Sequence, residues 1–380
     1  MDNGDKAKIY LLVNHPVTLL YFRKELISAL INTNYVIGIL TPFDEHFLDI
    51  GLLGVKVFET PMNRRGTNPI QDFSTFFKYL NILRKEKPDI VLSYTIKPNV
   101  YGGLACRVLG VPQIANVTGL GDSVENPGLL QKLVKFLLKI AFRKTHLVFF
   151  QNKSNKDYYE QQSLMRSEQT QLLPGSGVNL KKHSYIKYPQ DDNTIRLAFV
   201  GRIIKDKGIA ELLEAVAYVH ANHPSVTCDI LGPFEDDSFR YLIETYVSAG
   251  AGQYLGVSSD VHALLTTYHA VVLPSYHEGM SNVLLEAAAT GRPVLTTRVP
   301  GCQEAFDEGI SGFGFEPRSV DSLVEAIERF IALPHDQKAT MGLAGSKKME
   351  REFDRQIVVD AYMKEIENIL AEKKNKVDKK

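Results

Sequence analysis

Short runs of consecutive apolar and β-branched residues alternate along this chain with longer stretches in which apolar positions recur every three or four residues. The runs at 8–13, 35–40, 55–59, 89–94, 112–117 and 147–151 predict strands, and the amphipathic stretches between them, such as 20–31 and 73–87, predict helices. The theme returns with strand-like runs at 195–200, 226–231, 270–274 and 294–297, separated by helical patterns such as 210–222. Strand and helix in alternation imply a parallel sheet covered by helices on both faces, and here that unit occurs twice. The predicted class is α/β, two Rossmann-like doubly wound domains.

The halves meet in PGSGVNLKKHSYIKYPQDD, a stretch rich in Gly, Pro, Ser and charge with no period, which reads as a connection. The predicted organisation is a first domain over 1–178, a linker over 179–192 and a second domain over 193–353. A terminal helix over 354–372 is expected to cross back to the first domain, and KKNKVDKK over 373–380 reads as a frayed, disordered tail.

Composition narrows the class. The 380 residues are 44% hydrophobic and 23% charged, ordinary for a globular chain of about two domains. Net charge is zero, but residues 1–190 hold 24 Lys and Arg against 15 Asp and Glu, a balance of +9, and residues 191–380 the reverse. A basic first half suits an anionic partner, phosphates or an acidic membrane; chance segregation is the plainer reading. Cys106, Cys228 and Cys302 lie far apart without CxxC spacing, as expected for reduced thiols in a cytoplasmic protein. The opening MDNGDKAKIYLLV has no signal-like apolar core, and no apolar run reaches the length of a membrane span.

Ligands of open α/β sheets sit beyond the carboxyl ends of the strands, and the chemistry-bearing residues fall there. In LPSYHEGMSNVLLEAAATGRPVLTT, Glu278 follows a predicted strand and Glu286 lies eight positions on, in a predicted helix. Two carboxylates so spaced suit an elongated ligand with diols at both ends, since a carboxylate accepts from adjacent hydroxyls. Between them Gly279, Met280, Ser281 and Asn282 offer backbone N–H groups at a helix start, a setting for phosphate. Taken alone, the two glutamates would be ordinary helix-surface residues. The second motif, FVGRIIKDKG, tips the balance: Arg202 and Lys207 follow another strand and could clamp a diphosphate. GxGxxG after either first strand and GxxxxGK[ST] are absent, which argues against dinucleotide and P-loop chemistry.

The pairing of GR-x4-KG with E-x7-E in the second of two such halves resembles the retaining glycosyltransferases of family 4, of GT-B fold. LVNHPVTLLYFRKELISAL, KPNVYGGLACRVLGVPQIANVTGLG and PGSGVN extend the resemblance over nearly the whole chain. It is greatest to the bacterial branch that builds lipid-diphosphate-linked oligosaccharides and surface polysaccharide. The resemblance implies two domains facing a central cleft, a first domain that binds the acceptor and a second that binds the nucleotide sugar. It implies that Glu286 holds the ribose diol, Glu278 the transferred sugar, Arg202 and Lys207 the donor diphosphate, and Gly232 and Val257 the nucleobase. It implies retention with the leaving diphosphate as base, no cofactor and no metal, and a UDP-linked N-acetylhexosamine or galactose as donor. One departure stands out: where many members carry a histidine after the fourth strand, this chain reads Thr95, Ile96, Lys97.

Arg23 and Lys97 could meet the diphosphate of a lipid-linked acceptor, and His15 could line the same site; for each, a structural or surface role is the alternative. In LLQKLVKFLLKIAFRK, Leu130, Leu133, Val134, Leu137, Leu138 and Ala141 recur at helical spacing while Lys132, Lys135, Lys139 and Arg143 supply charge. Such a helix can lie on an anionic membrane or pack on its own sheet. The expectation is a glycosyltransferase held peripherally at the inner face of the plasma membrane, with no nucleic-acid partner. A nucleotide-sugar epimerase, a phosphorylase or a non-catalytic sugar-nucleotide-binding subunit are the alternatives.

Overall fold

The computed structural model describes residues 6–44, 46–62, 69–120, 124, 128–258 and 260–377. The chain divides into two units, residues 1–176 with 356–380, and residues 177–355.

The first unit is built on seven strands: β1 (Lys8–Leu12), β2 (Val36–Thr41), β3 (Lys56–Glu59), β4 (Ile90–Tyr94), β5 (Gln113–Val117), β6 (Leu147–Phe150) and β7 (Thr170–Leu172). All pair in parallel, in the order β3-β2-β1-β4-β5-β6-β7. Successive side chains of a strand point to opposite faces, so a sheet covered on both sides reads as an unbroken apolar run. In β1, Ile9 and Leu11 join one core with Leu26, Ile27 and Tyr362, while Tyr10 and Leu12 join another with Tyr79 and Leu83.

The second unit has six parallel strands: β8 (Ile195–Val200), β9 (Val226–Leu231), β10 (Tyr254–Gly256), β11 (Ala270–Leu273), β12 (Val294–Thr297) and β13 (Gly312–Phe315). Their order is β10-β9-β8-β11-β12-β13, the doubly wound arrangement in which the order reverses between β8 and β11.

The structure departs from the sequence expectations in four places. β7, β10 and β13 were not expected: two are three-residue edge strands, and β13 reads GFGF because a Cβ on Gly312 would meet the Val294 carbonyl oxygen at 2.1 Å. The helix expected over 20–31 is two, Val17–Phe22 and Lys24–Asn32, broken at Arg23, whose φ is −133°. The stretch expected as a linker packs onto the second unit: the Tyr188 hydroxyl donates to the His269 carbonyl at 2.9 Å, and Ile186 N–H to Thr290 at 3.1 Å. The last helix runs Arg355–Val377, so 373–377 is helical, and Lys373 donates to the Asp89 carbonyl at 2.8 Å. Residues 378–380 of the expected tail lie outside the described residues.

Candidate functional site at the switch point of the second sheet

Where β8 and β11 diverge, their exits carry the two motifs. The chain leaving β8 makes a turn at Lys205–Lys207 and enters the helix Ile209–Asn222 through Gly208, which is left-handed at φ 67°. A Cβ there would lie 2.2 Å from the Pro274 carbonyl oxygen, so only glycine lets this turn close against the exit of β11. Tyr276 N–H donates to the Asp206 carbonyl at 2.9 Å and ties the loops a second time. The Lys207 ammonium is thereby set against Glu278, to which it donates, and the Ser275 hydroxyl donates to the same carboxylate oxygen at 2.8 Å. Both charged side chains are largely buried, at 17% and 15% exposure.

Beyond Glu278 the chain passes under Gly301, where a Cβ would meet the Glu278 and Gly279 carbonyl oxygens at 2.6 and 2.8 Å. It then enters the helix Asn282–Ala289. Of the four amides expected to face a phosphate, that of Ser281 is already taken, donating to the Gly301 carbonyl at 2.8 Å. The Met280 side chain is buried in the core. The Asn282 side-chain oxygen is buried without a hydrogen-bond partner, an orphan acceptor at the mouth of this helix.

One turn along, Glu286 faces a group of residues that its motif did not announce. His183, buried in the former linker, brings Nε2 to 3.7 Å from the Glu286 carboxylate. His262 stacks edge-on against His183 with ring centroids 5.4 Å apart, and its Nδ1 lies 3.0 Å from the Thr290 hydroxyl, which donates to the Glu286 carbonyl. Burial pushes the Glu286 carboxyl up to about 7, with Lys182 and Arg355 acting in the opposite direction. Burial, aided by Lys182, His262 and Arg355, pushes His183 down to about 4. At neutral pH His183 is therefore neutral, and Glu286 sits near the midpoint of its ionisation.

Arg202 is half-exposed and donates to Glu235 at 2.9 Å, a partner that the motif did not reveal. Gly232 has φ 141°, and a Cβ would lie 1.8 Å from the Gly201 carbonyl oxygen; its own N–H donates to Gly256 and its carbonyl accepts from the Tyr254 hydroxyl. The N–H expected to meet a base is thus engaged within the unit. Val257 is exposed at the end of β10.

In the first unit Arg23 is 4% exposed, with its guanidinium 4.9 Å from the centre of the Tyr94 ring. That corrects its reading as an acceptor contact: it is a buried cation lying against a ring. Lys97 is ion-paired with Asp72 at 2.6 Å. His15 Nδ1 accepts from Val17 N–H at 3.3 Å and lies 3.5 Å from Asp44 Oδ2, so it shapes a helix start. Thr95 has φ 71°, rare for a β-branched residue, and a buried hydroxyl with no partner. On the helix Leu129–Phe142, Lys132, Lys139 and Arg143 are exposed, and Lys135 donates to Gln162 at 3.0 Å. Only Leu138, Ala141 and Phe142 of this helix are buried, so the apolar face expected from Leu130 and Leu133 stays largely open. Among the described residues no three His, Cys, Asp or Glu side chains group as a metal site, and no helix is long and apolar enough to cross a membrane.

Known proteins share this arrangement. Residues 182–348 match the family described as glycosyl transferases group 1, and residues 8–152 match glycosyl transferase 4-like. An N,N'-diacetylbacillosaminyl-diphospho-undecaprenol alpha-1,3-N-acetylgalactosaminyltransferase of Campylobacter jejuni is 26% identical, over 96% of this chain and 99% of its own. A UDP-Gal:alpha-D-GlcNAc-diphosphoundecaprenol alpha-1,3-galactosyltransferase of Escherichia coli is 25% identical, over 72% of this chain and 74% of its own. Among solved structures, HepE of Anabaena in complex with UDP-glucose superposes with a TM-score of 0.75 at 17% identity, covering 95% of this chain and 99% of that one.

Proposed function

The chain belongs to the group 1 glycosyltransferases, and from that premise we propose that it is a retaining enzyme moving N-acetylhexosamine or galactose from a UDP-sugar to a lipid-diphosphate-linked saccharide. The observation that carries the reading is the Lys207–Glu278 contact at the β8/β11 switch point, with Glu286 further along the same loop and helix. Glu278 accepts hydrogen bonds from the transferred sugar. Glu286 holds the ribose diol. Lys207 and Arg202 flank the diphosphate, and Gly232 and Val257 border the base.

Cleaving the sugar–phosphate bond leaves growing negative charge on the departing diphosphate. A cation already fixed in a water-poor setting stabilises that charge without reorganising, commonly the largest catalytic effect. The Ser275 and Glu278 contacts hold Lys207 in place for this. The acceptor hydroxyl then attacks on the face the leaving group vacates, and the diphosphate takes its proton.

The Campylobacter relative's name supplies the first donor to try, UDP-N-acetylgalactosamine, with an undecaprenyl-diphosphate-linked acceptor. The basic helix Leu129–Phe142 holds the enzyme peripherally at the inner face of the plasma membrane, where such an acceptor resides. The test is turnover of the two together without added metal, with the product's anomeric configuration read by NMR. Inverted product, or UDP-sugar consumed without acceptor, overturns the reading; the second outcome is what an epimerase gives.

A further inference from the structure

The first unit contains a cavity of about 350 Å³ that the donor site does not use. One wall is the helix Pro69–Glu86, through Phe73 and Phe76; the facing wall is the helix Leu129–Phe142, through Leu133 and Leu137; the floor is Val100 and Leu104. At one end stands the Lys97–Asp72 ion pair. The outer lip continues onto apolar side chains left in solvent, Phe73 at 64% exposure, Phe136 at 60% and Leu129 at 85%. Exposed Lys132, Lys139 and Arg143 stand on the same helix.

We propose that this slot takes the polyprenyl chain of the lipid-diphosphate acceptor, with Lys97 beside its diphosphate; the inference rests on the acceptor class given under Proposed function. The charge pattern matches an amphiphile with one anionic end: a long apolar slot, a cation at one terminus and a basic rim. A peptide needs partners for its backbone amides and carbonyls, and the lining offers only Lys97, Asp72 and the Tyr101 hydroxyl. A bilayer meets convex apolar faces and has no use for a concave slot. Lys97 follows β4 closely, so a chain lying in the slot leaves its diphosphate near the carboxyl end of the first sheet, where ligands of such sheets gather.

Two acceptors carrying the same saccharide diphosphate, one on a long polyprenyl chain and one on a short water-soluble alkyl chain, test the slot in detergent with the full chain. Leu104→Trp fills the slot and Leu133→Glu puts a charge in its wall; the second, at a half-exposed site, is the safer for folding. Each is expected to raise KM for the long-chain acceptor about tenfold and to leave the short-chain acceptor and the UDP-sugar unchanged. An equal change for both acceptors, or none, overturns the slot.

A second arm does not depend on turnover. The chain has no tryptophan, so Leu130→Trp gives a single reporter. Its emission should shift to the blue with polyprenyl monophosphate in detergent but not with inorganic phosphate. No shift overturns the slot, whereas a shift in a protein that transfers to neither acceptor keeps the slot and sinks the acceptor reading.

Discussion

Gly208 and Pro274 belong to loops that leave neighbouring strands, and they approach so closely that a single methyl group on Gly208 would lie 2.2 Å from the Pro274 carbonyl oxygen. The contact fixes Lys207, the adjacent residue, against Glu278. Gly208→Ala combines a left-handed alanine with a backbone clash. It should cost about 2–4 kcal/mol of stability and reduce kcat/KM further than the stability loss explains. Thermal melts alongside kinetics separate the two; an unchanged kcat/KM would show that the loop contact does not set the site.

Lys207→Ala should raise the barrier to transfer by about 2–4 kcal/mol, seen in kcat more than in donor KM. Arg202→Ala should act in the same direction and range, since it removes a second cation from the leaving group. Glu235→Gln then reports on Arg202: freeing the guanidinium from its ion pair should leave donor KM equal or lower. A rise in donor KM would mean that Glu235 positions Arg202 for its task.

Glu286 makes donor binding pH-dependent. Ribose hydroxyls donate best to an ionised carboxylate, and this carboxyl is raised to about 7 by burial. Donor affinity should therefore strengthen as pH rises from 6 to 8, and Glu286→Gln should flatten the profile. The sign for stability is opposite. The folded protein keeps this proton between the ordinary 4.5 and about 7 while the unfolded chain releases it, so the group's contribution is complete below 4.5 and declines up to about 7. Without ligand, Glu286→Gln should be more stable than the parent at pH 8, by about 1–3 kcal/mol, and no more stable at pH 4. Melting curves at both values decide it.

The basic helix predicts salt-sensitive binding to anionic vesicles. Lys132, Lys135 and Lys139 changed together to Glu should abolish sedimentation with such vesicles and leave UDP-sugar binding intact. Binding that survives high salt and the triple change would assign attachment to the exposed apolar residues alone.

Arg292 holds the former linker in place. Fully buried, it donates to the carbonyls of Leu265 at 2.8 Å, Ile186 at 3.1 Å, Lys187 at 3.2 Å and Thr266 at 3.1 Å. Arg292→Met should cost about 3–5 kcal/mol by leaving buried carbonyls unpaired. Arg292→Lys should restore little, because an ammonium cannot span the fork. Denaturant titration of the three proteins checks the order.

The strands at the centre of each sheet were legible because both faces of β1 or β11 are covered, which forces an unbroken apolar run. β10 and β13 were not: an edge strand of three residues carries too short a pattern, and in β13 close approach to β12 replaces the expected bulky residues by glycine. Glu278 and Lys207 were legible from their positions after strands. His183 was hidden because it lies in a stretch with no period, and what places it beside Glu286 is the fold of residues more than a hundred positions away. Arg23 misled for a different reason: an arginine in an amphipathic stretch reads as surface, and nothing local signals that Tyr94 will take its guanidinium.

The final helix, Arg355–Val377, joins the first unit, placing Val358, Tyr362 and Ile366 in the core around β1 and β4 and the Tyr362 hydroxyl against the Asn116 amide at 2.9 Å. A ribosome delivers that helix last. The opening 176 residues must therefore wait, with an apolar wall uncovered, through the synthesis of a whole second unit. A nascent chain halted before the stop codon would be the species most in need of a chaperone, and a fragment cut to the first unit's leading stretch would aggregate rather than stand alone.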